Sequence, residues 1–97
     1  MYAAMLCITF PESRRTEVVE FLRAEMLPVI KDNAGLIDFR VLDSSSPGEL
    51  IMIDTWERQE HSAEAASHPA AAAVHARYAE LGIDVASASR HTVIVGS

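Results

Sequence analysis

The run Leu50-Ile51-Met52-Ile53 is apolar at both alternations of a β-strand, with Leu50 and Met52 on one side and Ile51 and Ile53 on the other. Successive side chains of a strand point to opposite faces, so a segment of this kind needs cover on both. That requirement narrows the folds open to a chain of 97 residues, a length that suits a single domain, here read as spanning 1–97.

The neighbouring segments define the order of elements. Ala3 to Phe10 is apolar, rich in strand formers and stops at Pro11, which predicts a first strand. Ser13 is placed to cap a helix whose apolar positions Val18, Val19, Leu22, Met26, Val29 and Ile30 recur at helical spacing. Pro28 lies inside that pattern and removes a backbone donor, so a kink or break is expected there. The helix should end at Asp32-Asn33-Ala34-Gly35, where glycine supplies a left-handed terminus. Leu36 to Leu42 and Leu50 to Trp56 read as two further strands, joined by the hairpin loop Ser44-Ser45-Ser46-Pro47-Gly48. A second helical region follows in two pieces, because Pro69 fits best at a helix start with Ser67 or His68 near the cap, and Gly82 ends it. The β-branched run Thr92 to Val95, with Ser89 as its earliest start, is the expected last strand. The order β, α, β, β, α, β is the split arrangement of a ferredoxin-like α+β fold with a four-stranded antiparallel sheet.

Two helices cover one face of such a sheet. The apolar second face is therefore expected to meet the same face of another copy, giving a homodimer joined through its sheets with the last strand contributing across the interface. Nearly half the chain is hydrophobic and its formal net charge is −6. The eight Lys and Arg residues are scattered apart from Arg14 and Arg15, so there is no basic stripe for nucleic acid or an anionic membrane. Cys7 is alone and most simply a small buried hydrophobe. The run from Ala3 to Phe10 is too short, and lacks the positive leader, for a signal peptide, which makes the cytoplasm the expected location.

The alanine-rich stretch His68-Pro69-Ala70-Ala71-Ala72-Ala73-Val74-His75-Ala76-Arg77-Tyr78 holds the candidate chemistry. If Ala70, Val74, Tyr78 and Leu81 face the sheet, His75 lies roughly 90° around the helix from that stripe, while Arg77 and Glu80 face water. Alanines place little volume between helix and sheet, so either the helix packs very close or a cavity remains. A cavity lined by Trp56, Phe39 and Tyr78 with His75 at its rim suits a flat aromatic ligand. His68 and His75 are ~10 Å apart along a helix axis, too far for one ion whose ligands lie ~2 Å away, and no metal site is expected. Nor is a nucleotide cofactor, since the chain has four glycines and no glycine-rich phosphate loop. His61 is read as an exposed helix residue, and His91 as a histidine at the dimer edge.

"LPVIKDNAGLIDFRVL" followed by "ELIMIDTWERQEH" resembles the antibiotic biosynthesis monooxygenase domain family of dimeric α/β barrels. The matching positions are Pro28, Gly35, Phe39, Trp56 and Glu57, and the resemblance covers essentially the whole chain. It implies oxidation of an electron-rich aromatic, of anthrone, phenol or hydroquinone type, by O₂ without a cofactor. In that scheme His75 is the base and Tyr78 hydrogen-bonds the ring oxygen. Trp56, Phe39 and His68 contact the substrate, and Arg40 balances its anion if its face borders the cavity. The other reading is a non-catalytic dimer of the same fold that binds a small hydrophobic molecule or serves a stress response.

The chain also departs from the family pattern. Ala65 stands where members often carry a histidine, His68 replaces a frequent serine, and the only asparagine is Asn33. The haem-degrading branch needs an asparagine on the first strand and a tryptophan on the second helix. Leu6 or Cys7 and Ala65 hold those positions here, which disfavours haem cleavage.

Overall fold

A computed structural model describes residues 1–96. The elements are β1 (Tyr2–Thr9), a 3₁₀ turn (Glu12–Arg14), α1 (Arg15–Phe21), a π turn (Leu22–Met26), α2 (Leu27–Lys31), β2 (Leu36–Asp43), β3 (Glu49–Trp56), α3 (Gln59–Ser67), α4 (Pro69–Leu81) and β4 (Asp84–Thr92). The four strands form one antiparallel sheet in the order β2-β3-β1-β4. This is the ferredoxin-like α+β arrangement, with the helices packed on one side. Among the described residues, no helix is long and apolar enough to cross a membrane.

The first helical region departs from expectation at three points. Ser13 does not cap it: Pro11 occupies the start, and Arg14 N–H donates to the Pro11 carbonyl (2.8 Å). Pro28 neither breaks the helix nor stands alone as a kink. The turn just before it widens to π geometry, with Leu27 N–H donating to the Leu22 carbonyl, five residues back. The wider turn makes room for a ring that would strike the carbonyl four residues back in a regular helix. The helix ends at Lys31, four residues before Gly35, and the Asn33 side-chain amide donates to the carbonyls of Val29 (3.0 Å) and Ile30 (3.2 Å).

Gly35 has a different role. Its φ is +83°, and a Cβ there would lie 2.2 Å from the His61 ring. His61 therefore packs on bare backbone and is half-buried, not exposed as its sequence context suggested.

The last strand lies earlier than the β-branched run predicts. Asp84–Thr92 pairs along β1 from Tyr2↔Thr92 to Thr9↔Asp84, with a bulge between Cys7 and Ile8. Small residues in "ASAS" have weak strand propensity, but pairing with a long neighbour decides the matter. All nine β4 residues are exposed, because the helices do not reach this edge.

Buried Ile8, Leu50 and Met52 of the sheet meet Val18, Phe21 and Leu22 of the first helical region and Val74, Tyr78 and Leu81 of α4. On the outer face, Met5, Cys7, Ile51, Ile53 and Leu42 stand side by side in register. Cys7 is only half-buried there, and its thiol donates to Glu49 Oε1 (3.1 Å).

Candidate functional site

The alanines of α3 and α4 leave a cavity of about 190 Å³ between these helices and the sheet. Ala65, Ala66 and Ala71 line it where larger side chains would fill it. Phe39 from β2, Trp56 from β3 and Tyr78 and His75 from α4 all border it. Pro69 at the first position of α4 and left-handed Gly82 (φ +72°) at its end fix the helix that carries the last two. Beyond Gly82, Ile83 N–H donates to the Tyr78 carbonyl (2.9 Å).

Tyr78 is buried and meets Phe21 edge-on, with ring centroids 5.9 Å apart. Its hydroxyl is sealed from solvent and has no hydrogen-bond partner among the described residues. Burial pushes its pKa from 10 up to about 12. His75 is exposed at the rim, its ring 5.3 Å from that of Tyr78.

Trp56 is 1% exposed and its indole Nε1–H donates to Asp54 Oδ2 (2.5 Å). Asp54 borders the same cavity. Burial raises its carboxyl pKa from the ordinary aspartate value, against the lowering effects of the Trp56 donor and the Arg90 charge. Arg90 of β4, Ser62 of α3 and Asn33 also line the cavity.

Two expected contacts are not brought here. Arg40 is exposed on the outer face, opposite Ile53 in register, where its nearest carboxylate is Asp38 at 3.8 Å. Phe39 and Val41 point to the helices, so alternation turns Arg40 away. His68 caps α4, its Nδ1 accepting from Ala70 N–H (3.1 Å), and borders an adjoining depression with Pro28 and Ala70 rather than the cavity itself. His91 is exposed on β4, with Nε2 2.9 Å from Ser89 Oγ. Among the described residues no three His, Cys, Asp or Glu side chains converge as a metal would require.

Sequence reasoning missed Asp54 and Arg90. Asp54 lies two residues before Trp56, so alternation along β3 was a usable signal that both face the same way. Arg90 had no such signal, since its place depends on β4 starting at Asp84.

No family model matches the chain, and no curated protein matches it in sequence. Solved structures do match its fold. A protein from Deinococcus radiodurans, provisionally named an antibiotic biosynthesis monooxygenase, superposes with a TM-score of 0.86 at 12% identity, over 100% of this chain and 96% of that one. HapK from Hahella chejuensis gives 0.82 at 10% identity, over 100% and 97%. SnoaB from Streptomyces nogalater, a cofactor-independent oxygenase, gives 0.78 at 11% identity, over 98% and 94%. The chain thus has the fold of the antibiotic biosynthesis monooxygenase structures along its whole described length.

Proposed function

We propose that the protein oxidises a flat, electron-rich aromatic with O₂ and needs no cofactor to do so. The observation that supports this reading is the small aromatic-walled cavity, bordered by Tyr78, whose hydroxyl is unpartnered, and by two proton-accepting groups. An anthrone-type ring can supply all four electrons itself, its CH₂ and O₂ becoming C=O and water. A hydroquinone and O₂ give a quinone and hydrogen peroxide. The protein's part is to hold the ring, take a proton and stabilise the resulting anion.

Trp56 and Phe39 wall the ring. Tyr78, whose pKa of about 12 keeps it protonated through the neutral range, donates to a ring oxygen and so satisfies its own hydroxyl. The proton leaves by way of the two basic groups on the cavity, Asp54 within and His75 at the rim, where the imidazole exchanges it with water. SnoaB offers a precedent on this fold for oxygen chemistry without a cofactor.

The same reading includes a homodimer. The outer sheet face presents Met5, Ile51, Ile53 and Leu42 with no helix over it, and a two-fold partner provides matching cover.

The test is oxygen uptake by the purified protein with anthrones, hydroquinones and haem, with anaerobic controls. The expected result is O₂-dependent turnover of at least one anthrone or hydroquinone, with the haem Soret band unchanged under reductant. Binding of these rings without oxygen uptake would instead favour a non-catalytic ligand-binding dimer.

A further inference from the structure

Resting on the oxidation reading above, the geometry points to Asp54 as the acceptor for a ring hydroxyl of the substrate and as the base that takes its proton. Asp54 lies on the helix-facing side of β3 between Met52 and Trp56, both buried. Asp54 itself is half-buried, so its carboxylate carries part of the cost of taking a charge out of water. Yet among the described residues no ion pair reaches it. Its one side-chain hydrogen bond, from Trp56 to Oδ2, fixes the group and leaves Oδ1 without a side-chain donor.

The sheet register places Asp54 in a row. Phe39 is its neighbour on β2 and Ala4 its neighbour on β1, and Ala4 in turn pairs with Arg90 on β4. Two strand spacings separate Asp54 from Arg90, about 10 Å at the backbone, with only the methyl group of Ala4 between them. A flat ring lying along this row meets a carboxylate at one end and a cation at the other. Arg90 makes no side-chain hydrogen bond or ion pair among the described residues, so its charge is available to the ligand.

Besides Arg90 of β4, the other titratable groups on the cavity come from α4, namely His75 and Tyr78. β1 and β2 offer Ala4, Leu6 and Phe39, while α2 and α3 offer Val29 and Ser62, and none of these titrates. Proton transfer here balances simply. The hydroxyl O–H bond breaks, its electron pair stays on the ring oxygen, and the proton goes to the carboxylate. One negative charge is exchanged for another, now spread over the ring and nearer Arg90. The raised pKa of Asp54 makes it a better match for a phenol than an ordinary carboxylate is.

Asp54 could instead serve Trp56 alone, as acceptor for the indole. Asp54→Asn separates the two roles, since the amide oxygen still accepts from the indole but is no base. Two measurements are needed. The first is turnover, where Asp54→Asn is expected to lower kcat by roughly 10²-fold or more while its Tm at neutral pH is no lower than that of the unaltered protein. The second is binding of 4-cyanophenol and of its methyl ether, followed by fluorescence of Trp56, the single tryptophan.

The unaltered protein should prefer the phenol roughly tenfold or more, as a charge-assisted hydrogen bond implies. The preference should vanish as Asp54 protonates, a titration that the Trp56 indole N–H resonance reports without any substitution. Asp54→Asn should narrow it to within about threefold. No preference in the unaltered protein, or an Asp54→Asn variant with kcat and preference both within about threefold of it, overturns the proposal. A preference that depends on Asp54 while no aromatic consumes oxygen upholds the hydroxyl contact and overturns the oxidation reading instead.

Discussion

At the scale of single residues, the buried and unpartnered hydroxyl of Tyr78 bears directly on the proposed function. Such a group costs roughly 1–3 kcal/mol when left unsatisfied. Tyr78→Phe is therefore expected to raise thermal stability in the free protein while lowering turnover, a combination a structural tyrosine would not give. The pH dependence follows from its raised pKa of about 12. The unfolded chain ionises first as pH climbs past 10, so stability should fall from there upward, and Tyr78→Phe should remove that part of the slope. Asp54 acts in the opposite pH range with the same sign. Its raised folded pKa means stability is lower once pH exceeds it, so Asp54→Asn should melt at or above the unaltered protein at neutral pH. The gap should close on acidification. His75→Ala is expected to lower turnover by roughly 10²-fold, with recovery in imidazole buffer if its task is exchange with water.

Phe39, Trp56, His75 and Tyr78 were legible because each lies on an element whose period is written locally, in a strand's alternation or a helix's spacing. Arg40 has a role only if its face borders the cavity, and the alternation fixed by Phe39 and Val41 turns it outward. Asp54 and Arg90 were overlooked because a lone charge in a strand reads as surface.

At the scale of elements, the errors fall where long-range pairing overrides local preference. The π turn before Pro28 depends on how the helix must lie against the sheet, and β4 owes its position to eight β1 residues facing it. The turn at Gly35 shows a further coupling between elements, because the glycine's missing side chain is the space that His61 of α3 occupies. Gly35→Ala would combine a positive φ with a Cβ 2.2 Å from that ring. The expected outcome is a loss of more than about 1 kcal/mol in denaturant unfolding, together with weaker ligand binding as α3 shifts. Gly82→Ala should cost about 1–2 kcal/mol, since Pro11 is 3.1 Å from the new Cβ and the turn carries the bond to Tyr78.

At the scale of the whole molecule, the sheet is finished on one side only. Met5, Ile37 and Leu42 are exposed together with Val85, and Ile94 and Val95 beyond β4 are 91% and 89% exposed. Sedimentation at micromolar concentration is expected to give twice the chain mass of 10.6 kDa. A single-chain particle would leave the outer face bare and overturn the dimer. The double apolar alternation in β3 announced this need at the start, because two-sidedness is written in the strand itself. Which surface meets which depends on shape that no local pattern encodes.

The full exposure of β4 has one more consequence. Arg90 reaches the cavity from a strand held to the rest by backbone bonds along a single side, with no side chain of its own pinned beneath a helix. Such an edge frays readily on its own. Whatever clamps β4 from outside therefore also sharpens the charged end of the pocket. Apparent affinity for an anionic aromatic should then climb with the concentration of the protein itself and fade on dilution, while binding of a neutral ring, held by Trp56 and Phe39, stays flat.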